Sequence, residues 1–154
     1  MLNWINKLRR QDSGNAVIEF ALILPFLLLL FTGLTEVGRA YFQADAIEKG
    51  LRAAALYASR VPTPLSVADK QIAKNILKTG TVDGTGPLLV SGWGKPGASA
   101  SITSSGYSLG GTTIPVIKVS ASVPLDPLVP ELVSMVGLST FTINLSHEQA
   151  YVGQ

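Results

Sequence analysis

Two residues near the start of the chain have the types and spacing for chemistry: Gly14 and Glu19. Gly14 closes a short basic head, Lys7, Arg9 and Arg10 against Asp12, and stands just before a long apolar run. A small residue in that place is where a peptidase at the inner face of a membrane could cut. A cut between Gly14 and Asn15 would free an amine on Asn15, about one helical turn from the Glu19 carboxylate. Glu19 is the one charged residue between Ala16 and Thr35. An ionised carboxylate in mid-bilayer costs roughly 2.5–3.5 kcal/mol on insertion scales. Glu19, however, lies only roughly 4.5 Å of helix rise beyond Ala16. Two readings of it stand: an interfacial carboxylate reached by water, or a charge kept for a partner group. Gly14 is likewise either the cleavage residue or a plain loop glycine before a helix.

Nothing else in the chain forms a catalytic constellation. His147-Glu148 lacks the second histidine of a zinc motif, and His147 is the single histidine. There is no Gly-x-Ser-x-Gly elbow. Gly84-Thr-Gly86-Pro lacks the lysine and the spacing of a phosphate-binding loop. Cysteine is absent, which excludes a disulfide framework and thiolate metal sites. A scattered net charge of +2 gives no footprint for nucleic acid. The expectation is a non-enzyme with no metal and no cofactor. Trp93, between two glycines, and Tyr107 suit either core and loop packing or, if partly exposed, contact with a sugar or a surface.

The elements that must carry Gly14 and Glu19 follow from hydropathy. From Phe20 to Thr35 there is no charge, and from Ala16 the apolar span is about 20 residues, or about 30 Å of helix, the thickness of a bilayer's hydrocarbon core. No helix stop follows. Val37, Ala40, Tyr41, Ala44, Ile47, Leu51, Ala54, Ala55 and Ala58 recur at the period of one helical face. Glu36–Arg39, Asp45–Lys49 and Glu48–Arg52 are spaced for ion pairs on the other face. One helix from Asn15 to Ala58 is expected, membrane-embedded first and amphipathic afterwards, with Pro25 giving either a mild kink or a local weak point. The run is longer than the hydrophobic part of a secretory signal, about 7–15 residues, and the nearest small-x-small site, Ala44-Asp45-Ala46, lies well past it. The basic head holds the N-terminus in the cytoplasm.

The spacing Gly14-x-x-x-x-Glu19 at the start of a membrane helix resembles the processing signal of type IV pilins. The wider string Asn15-Ala-Val-Ile-Glu-Phe-Ala-Leu-Ile-Leu-Pro25, followed by Glu36-Val-Gly-Arg-Ala-Tyr-Phe42, resembles the TadE-like family of pseudopilins from tight-adherence (Flp, type IVc) pilus systems. The family's glutamate followed by an aromatic is Glu19-Phe20. The resemblance covers residues 9–58. It implies a minor pilin-like component of the bacterial inner membrane, cut by a prepilin peptidase after Gly14 and working with other pilins and pseudopilins in assembly or priming of the pilus. In the resembling pilins the fifth-position glutamate pairs with the N-terminal amine of a neighbouring subunit, which gives Glu19 and Phe20 an assembly role here. The implied organisation is a leader over 1–14, a transmembrane helix over 15–36 and an exterior pilin-like domain over 37–154. The alternative is a permanently anchored exterior domain, never cleaved, that recognises envelope polymer or partner proteins.

Beyond Ala58, Pro62 and Pro64 break the helix. Ser66, with Asp69 three residues on, reads as an N-cap, and Gly80 as a helix stop. Ile72, Ile76 and Leu77, beside Ala68 and Ala73, mark the apolar face between them. Leu88–Val90 reads as a short strand, Ala98–Thr103 as a weaker one, and Gly106–Gly111 as a turn. Ile114–Val123 and Phe141–Leu145 alternate apolar and polar residues, the pattern of half-buried strands, with Pro115 belonging at a strand start or edge. Asp126-Pro127 reads as cap and first turn of a short helix with Leu128, Leu132, Met135 and Val136, stopping at Gly137. The expected fold is α+β: a small antiparallel sheet whose apolar face covers the stripe of the long helix.

Overall fold

The computed structural model of the protein describes residues 12–135 and 141–153. The basic residues of the expected leader, and Val136 and Gly137, lie outside the described residues. Two compact units are distinct, one ending at Gly38 and the other running from Arg39.

One helix, α1 (Asp12–Ala58), contributes to both units and continues through Pro25. Between Val17 and Leu34 it leaves its large apolar side chains exposed all round. The two hydroxyls of this stretch bond within the helix, Thr32 to the Leu28 carbonyl at 2.7 Å and Thr35 to the Phe31 carbonyl at 2.9 Å. Past Glu19, a helix that satisfies its polar groups internally and shows hydrocarbon outside suits lipid and not water. By length and composition it is the one candidate membrane span among the described residues.

The second unit is the expected α+β domain. It holds the rest of α1, then α2 (Val67–Thr79), a 3₁₀ turn (Ser91–Gly94), β1 (Ser99–Leu109), β2 (Thr112–Pro124), α3 (Pro130–Met135) and β3 (Thr142–Ala150). The sheet order is β1-β2-β3, both pairs antiparallel. Its register sets Ile102 opposite Val119, Ala121 opposite Leu145 and Val123 opposite Ile143. These side chains form one core with Ile47, Leu51, Ala54, Ala55 and Ala58 of α1 and with Ala73 and Leu77 of α2. Three alanines in that helical stripe let neighbouring backbones come close. Gly50 goes further: a Cβ there would lie 2.7 Å from the Leu77 carbonyl oxygen, so α2 passes too near for any side chain.

The local signals on α2 hold. The Ser66 side chain accepts from the Asp69 amide and the Asp69 carboxylate accepts from the Ser66 amide, a complete capping box, and Gly80 ends the helix in the left-handed region. The Asp69 carboxylate also accepts from the Tyr57 hydroxyl at 3.3 Å, tying α2 to α1. Burial first, and Asp69 second, push the Tyr57 hydroxyl above its ordinary pKa. On the outer face of α1, Asp45 pairs with Lys49 at 2.7 Å and Glu48 pairs with Arg52.

Several expectations need correction. The buried stripe starts at Ala44, since Val37 is exposed and Tyr41 and Phe42 are each 72% exposed. Periodicity cannot say how far along a helix its partner reaches. On α2, Ala68 is exposed, and the face centres on Ala73 and Leu77. Leu88–Val90 is no strand; the Leu89 amide bonds the Lys78 carbonyl and Val90 drops into the core. Gly106 lies within β1, opposite Pro115, and the turn is the two-residue Gly110–Gly111, both at positive φ. That is the twist-matched hairpin loop for which two glycines are suited. The last short helix starts at Pro130, not at Asp126-Pro127, and buries Val133.

A fragment starting at Arg39 is expected to be soluble and folded, with both helix and strand in its far-ultraviolet spectrum. In it, Ile47→Ala or Leu51→Ala should cost about 2–5 kcal/mol in urea unfolding. Tyr41→Ala should stay within about 0.5 kcal/mol of the parent. Gly50→Ala should cost about 1–3 kcal/mol through overpacking against Leu77.

Candidate processing and assembly site

Gly14 sits within the first turn of α1, exposed, with open space where a Cβ would project. It is therefore a helical glycine and not a loop glycine. The next residue, Asn15, turns its side-chain amide onto Glu19: Nδ2 donates to Oε1 at 3.2 Å across one helical turn. Asn15 and Glu19 thus share one face of the helix, and Phe20 projects beside them, largely exposed. The contact is made by the Asn15 side-chain amide; the Asn15 backbone nitrogen is a peptide amide within the helix. The four residues singled out from the sequence, Gly14, Asn15, Glu19 and Phe20, fall within two turns of one exposed helical end.

A second constellation escaped the sequence reading. Asp126, expected as a helix cap, is instead a knot between α1 and the loop that carries the 3₁₀ turn. Its carboxylate pairs with Lys95 and accepts from the Ser91 hydroxyl. Its carbonyl accepts from Arg39 Nη2 at 3.0 Å and from Gln43 Nε2 at 3.2 Å, while its amide donates to Gln43 Oε1 at 3.4 Å. Gln43 therefore clasps the backbone of Asp126 from both sides. The hydrogen bonds from Lys95 and Ser91 hold the Asp126 carboxyl below its ordinary pKa against the opposing effect of burial, and the charges of Lys95 and Arg39 add to this. The available signal was faint: Arg39 and Gln43 are spaced i, i+4 at the start of the amphipathic half. Next to this knot, an open groove of about 380 Å³ is lined by Arg39, Phe42, Gln43, Ala46 and Leu89–Ser91.

The aromatic candidates separate. Trp93 is only 6% exposed, and Lys78 Nζ stands 5.6 Å from its ring centroid, a cation–π contact, so it serves packing. Tyr107 is 60% exposed on the hairpin. His147 lies mid-strand, opposite Val119. Among the described residues there is no cluster of histidine and carboxylate side chains able to hold a metal ion.

Comparison with known proteins gives a match over the N-terminal segment. Residues 14–56 match the model of the TadE-like protein family. That match begins at Gly14, takes in Asn15, Glu19 and Phe20, and ends two residues before α1 does. It points to a Tad pilus-associated protein with an N-terminal membrane helix. The family is one of pilus components and is not known for enzymatic activity. No curated protein and no solved structure matches the chain.

The depressed Asp126 carboxyl makes a signed prediction. Because the folded state holds fewer protons than the unfolded one, this group stabilises above the ordinary carboxylate range and loses that contribution as pH falls through its lower folded value. Asp126→Asn should lower the urea midpoint at neutral pH. The gap to the parent should close as pH drops below about 4. Asp83, also depressed, by bonds from Thr85, remains in both proteins and so cancels from the comparison.

Proposed function

We propose that this protein is a minor pseudopilin of a tight-adherence pilus. In this reading it enters the inner membrane with its N-terminus in the cytoplasm and its α+β domain outside. A prepilin peptidase removes the leader between Gly14 and Asn15, and the mature protein joins other pilins and pseudopilins in assembling or priming the filament. The observation that carries the reading is the Asn15–Glu19 pair at 3.2 Å, located at the start of the segment that matches the TadE-like model. Cleavage after Gly14 makes Asn15 the first residue, with a cationic amine on the same helical turn that already turns toward the Glu19 carboxylate. Within one chain, that amine neutralises a carboxylate at the edge of the bilayer. Between chains, the same attraction fixes how far one helix is displaced along the next. Removing one member of a poorly solvated ion pair costs more than the pair is worth, because the other charge is left alone.

Intact mass of the protein from cells with an active prepilin peptidase should correspond to a chain starting at Asn15, and replacing Gly14 by a bulky charged residue should preserve the full length. A wild-type chain that is never shortened would remove the main support for this reading. Glu19→Leu should leave membrane insertion intact and cleavage largely intact, because a charge has been taken out of an apolar span. At matched membrane levels, co-isolation with pilus components and pilus-dependent adhesion should fall sharply. Undiminished pull-down with normal piliation would reduce Glu19 to an interfacial carboxylate.

A further inference from the structure

The β1–β2 hairpin outruns the rest of the sheet. β3 pairs with β2 only from Val116 to Pro124, whereas β1 stays paired as far as Leu109 opposite Thr112. Every residue from Thr103 to Ser108 is exposed, on both faces of the strand. This end of the hairpin is an arm that leaves the core. β1 is also an edge strand, bonded among the described residues to β2 alone, so alternate amides and carbonyls along its outer side point away from the sheet.

Edge strands are usually blunted by charge, proline, a bulge or shortness. β1 has none of these. It is eleven residues long, Ser-Ala-Ser-Ile-Thr-Ser-Ser-Gly-Tyr-Ser-Leu, without a charge or a proline. Its register against β2 is unbroken from Ser99–Ser122 to Leu109–Thr112. The opposite edge, β3, is guarded in the ordinary way by His147 and Glu148.

We propose that the outer edge of β1, at residues 103–108, pairs antiparallel with the same edge of a second copy of this chain. The charge pattern selects that occupant. An uncharged strand can face its own reverse with no like charges opposed, whereas charged edges meet themselves at a cost. The nearest charges, Lys118 opposite Thr103 and Glu148 beside it, pair with each other at 2.9 Å and cancel. A two-fold axis through the arm makes each copy donate and accept the same bonds, a closed contact that ends at the dimer. Six residues of edge make a weak contact alone. Two copies anchored in one membrane would meet at a raised effective concentration. The contact does not depend on a role in a pilus.

The chain has no cysteine, so single cysteines report cleanly. Thr103→Cys, Ser104→Cys, Ser105→Cys and Ser108→Cys, each in the full chain in native membranes, are oxidised and read on non-reducing gels with mass identification. A disulfide requires Cα atoms within about 4.4–6.8 Å. Homodimer yield should therefore peak at the position nearest the axis and fall away on either side. Val67→Cys, an exposed control on α2, should give roughly tenfold less. Adding Ser105→Lys to the Ser104→Cys chain should lower the yield roughly tenfold, by setting lysines across the axis, while Ser105→Thr should preserve it. Uniform yield along the arm and at residue 67, no homodimer, or dominant cross-linking to a different protein would each overturn the proposal.

Discussion

A single uninterrupted helix has to satisfy two solvents. Between Phe20 and Leu34 α1 keeps its backbone bonded to itself and turns hydrocarbon outward in every direction, which only lipid rewards. In the second unit it must present one face to protein and the opposite face to water. The change is made by composition alone. Leucine and phenylalanine give way to a stripe of alanines with Ile47 and Leu51, set against charged residues on the outer side. Alanine suits this use because it keeps helix propensity high and lets a sheet and a second helix come close. Gly50, with α2 against it, is the extreme of the same device.

The exterior domain is built around that close approach. β2 supplies Ile117, Val119, Ala121 and Val123, all inward, from the middle of the sheet, and each flanking strand adds its own apolar positions at the paired register. Polar ties then join the elements to one another. Asp69 joins α2 to Tyr57, and Asp126 joins the segment after β2 to Arg39 and Gln43. Asp69 stands in the first turn of α2, where its carboxylate satisfies the Ser66 amide, and at Asp126, past the end of β2, the side chains of Arg39 and Gln43 satisfy the backbone groups.

How much of this was legible depends on the range of the signal. Features fixed within a few residues could be read directly: the apolar span, the Ser66–Asp69 box, the Gly80 stop, and the alternation of β2 and β3. The Gly14–Glu19 spacing was also legible, because one helical turn places Asn15 beside Glu19 whatever surrounds them. Features fixed by distant contacts could not. Asp126 precedes a proline, as a cap residue often does, and only the fold brings Lys95, Ser91, Arg39 and Gln43 around it. Gly106 resembles a turn residue, yet its neighbours pair across to β2, and the Gly110–Gly111 loop is the better turn. Tyr41 keeps the helical period of the buried stripe but lies beyond the reach of the sheet. Leu88–Val90 has strand composition but no strand beside it to bond.

One quiet feature bears on how the domain comes apart. After β3 the Tyr151 amide donates to the Pro115 carbonyl at 2.9 Å, and the next amide, of Val152, donates to the carbonyl of Ser59 at 3.1 Å. Ser59 is wholly buried just past the end of α1, and its hydroxyl bonds back to Leu56. The end of the helix, the start of the central strand and the segment after the last strand are thus stitched together by consecutive amides. Fraying at any of the three loosens the other two, so opening is shared among them and does not spread from one loose end. Amide hydrogen exchange would register this as a common protection level across elements nearly a hundred residues apart in sequence, the behaviour of one cooperative folding unit.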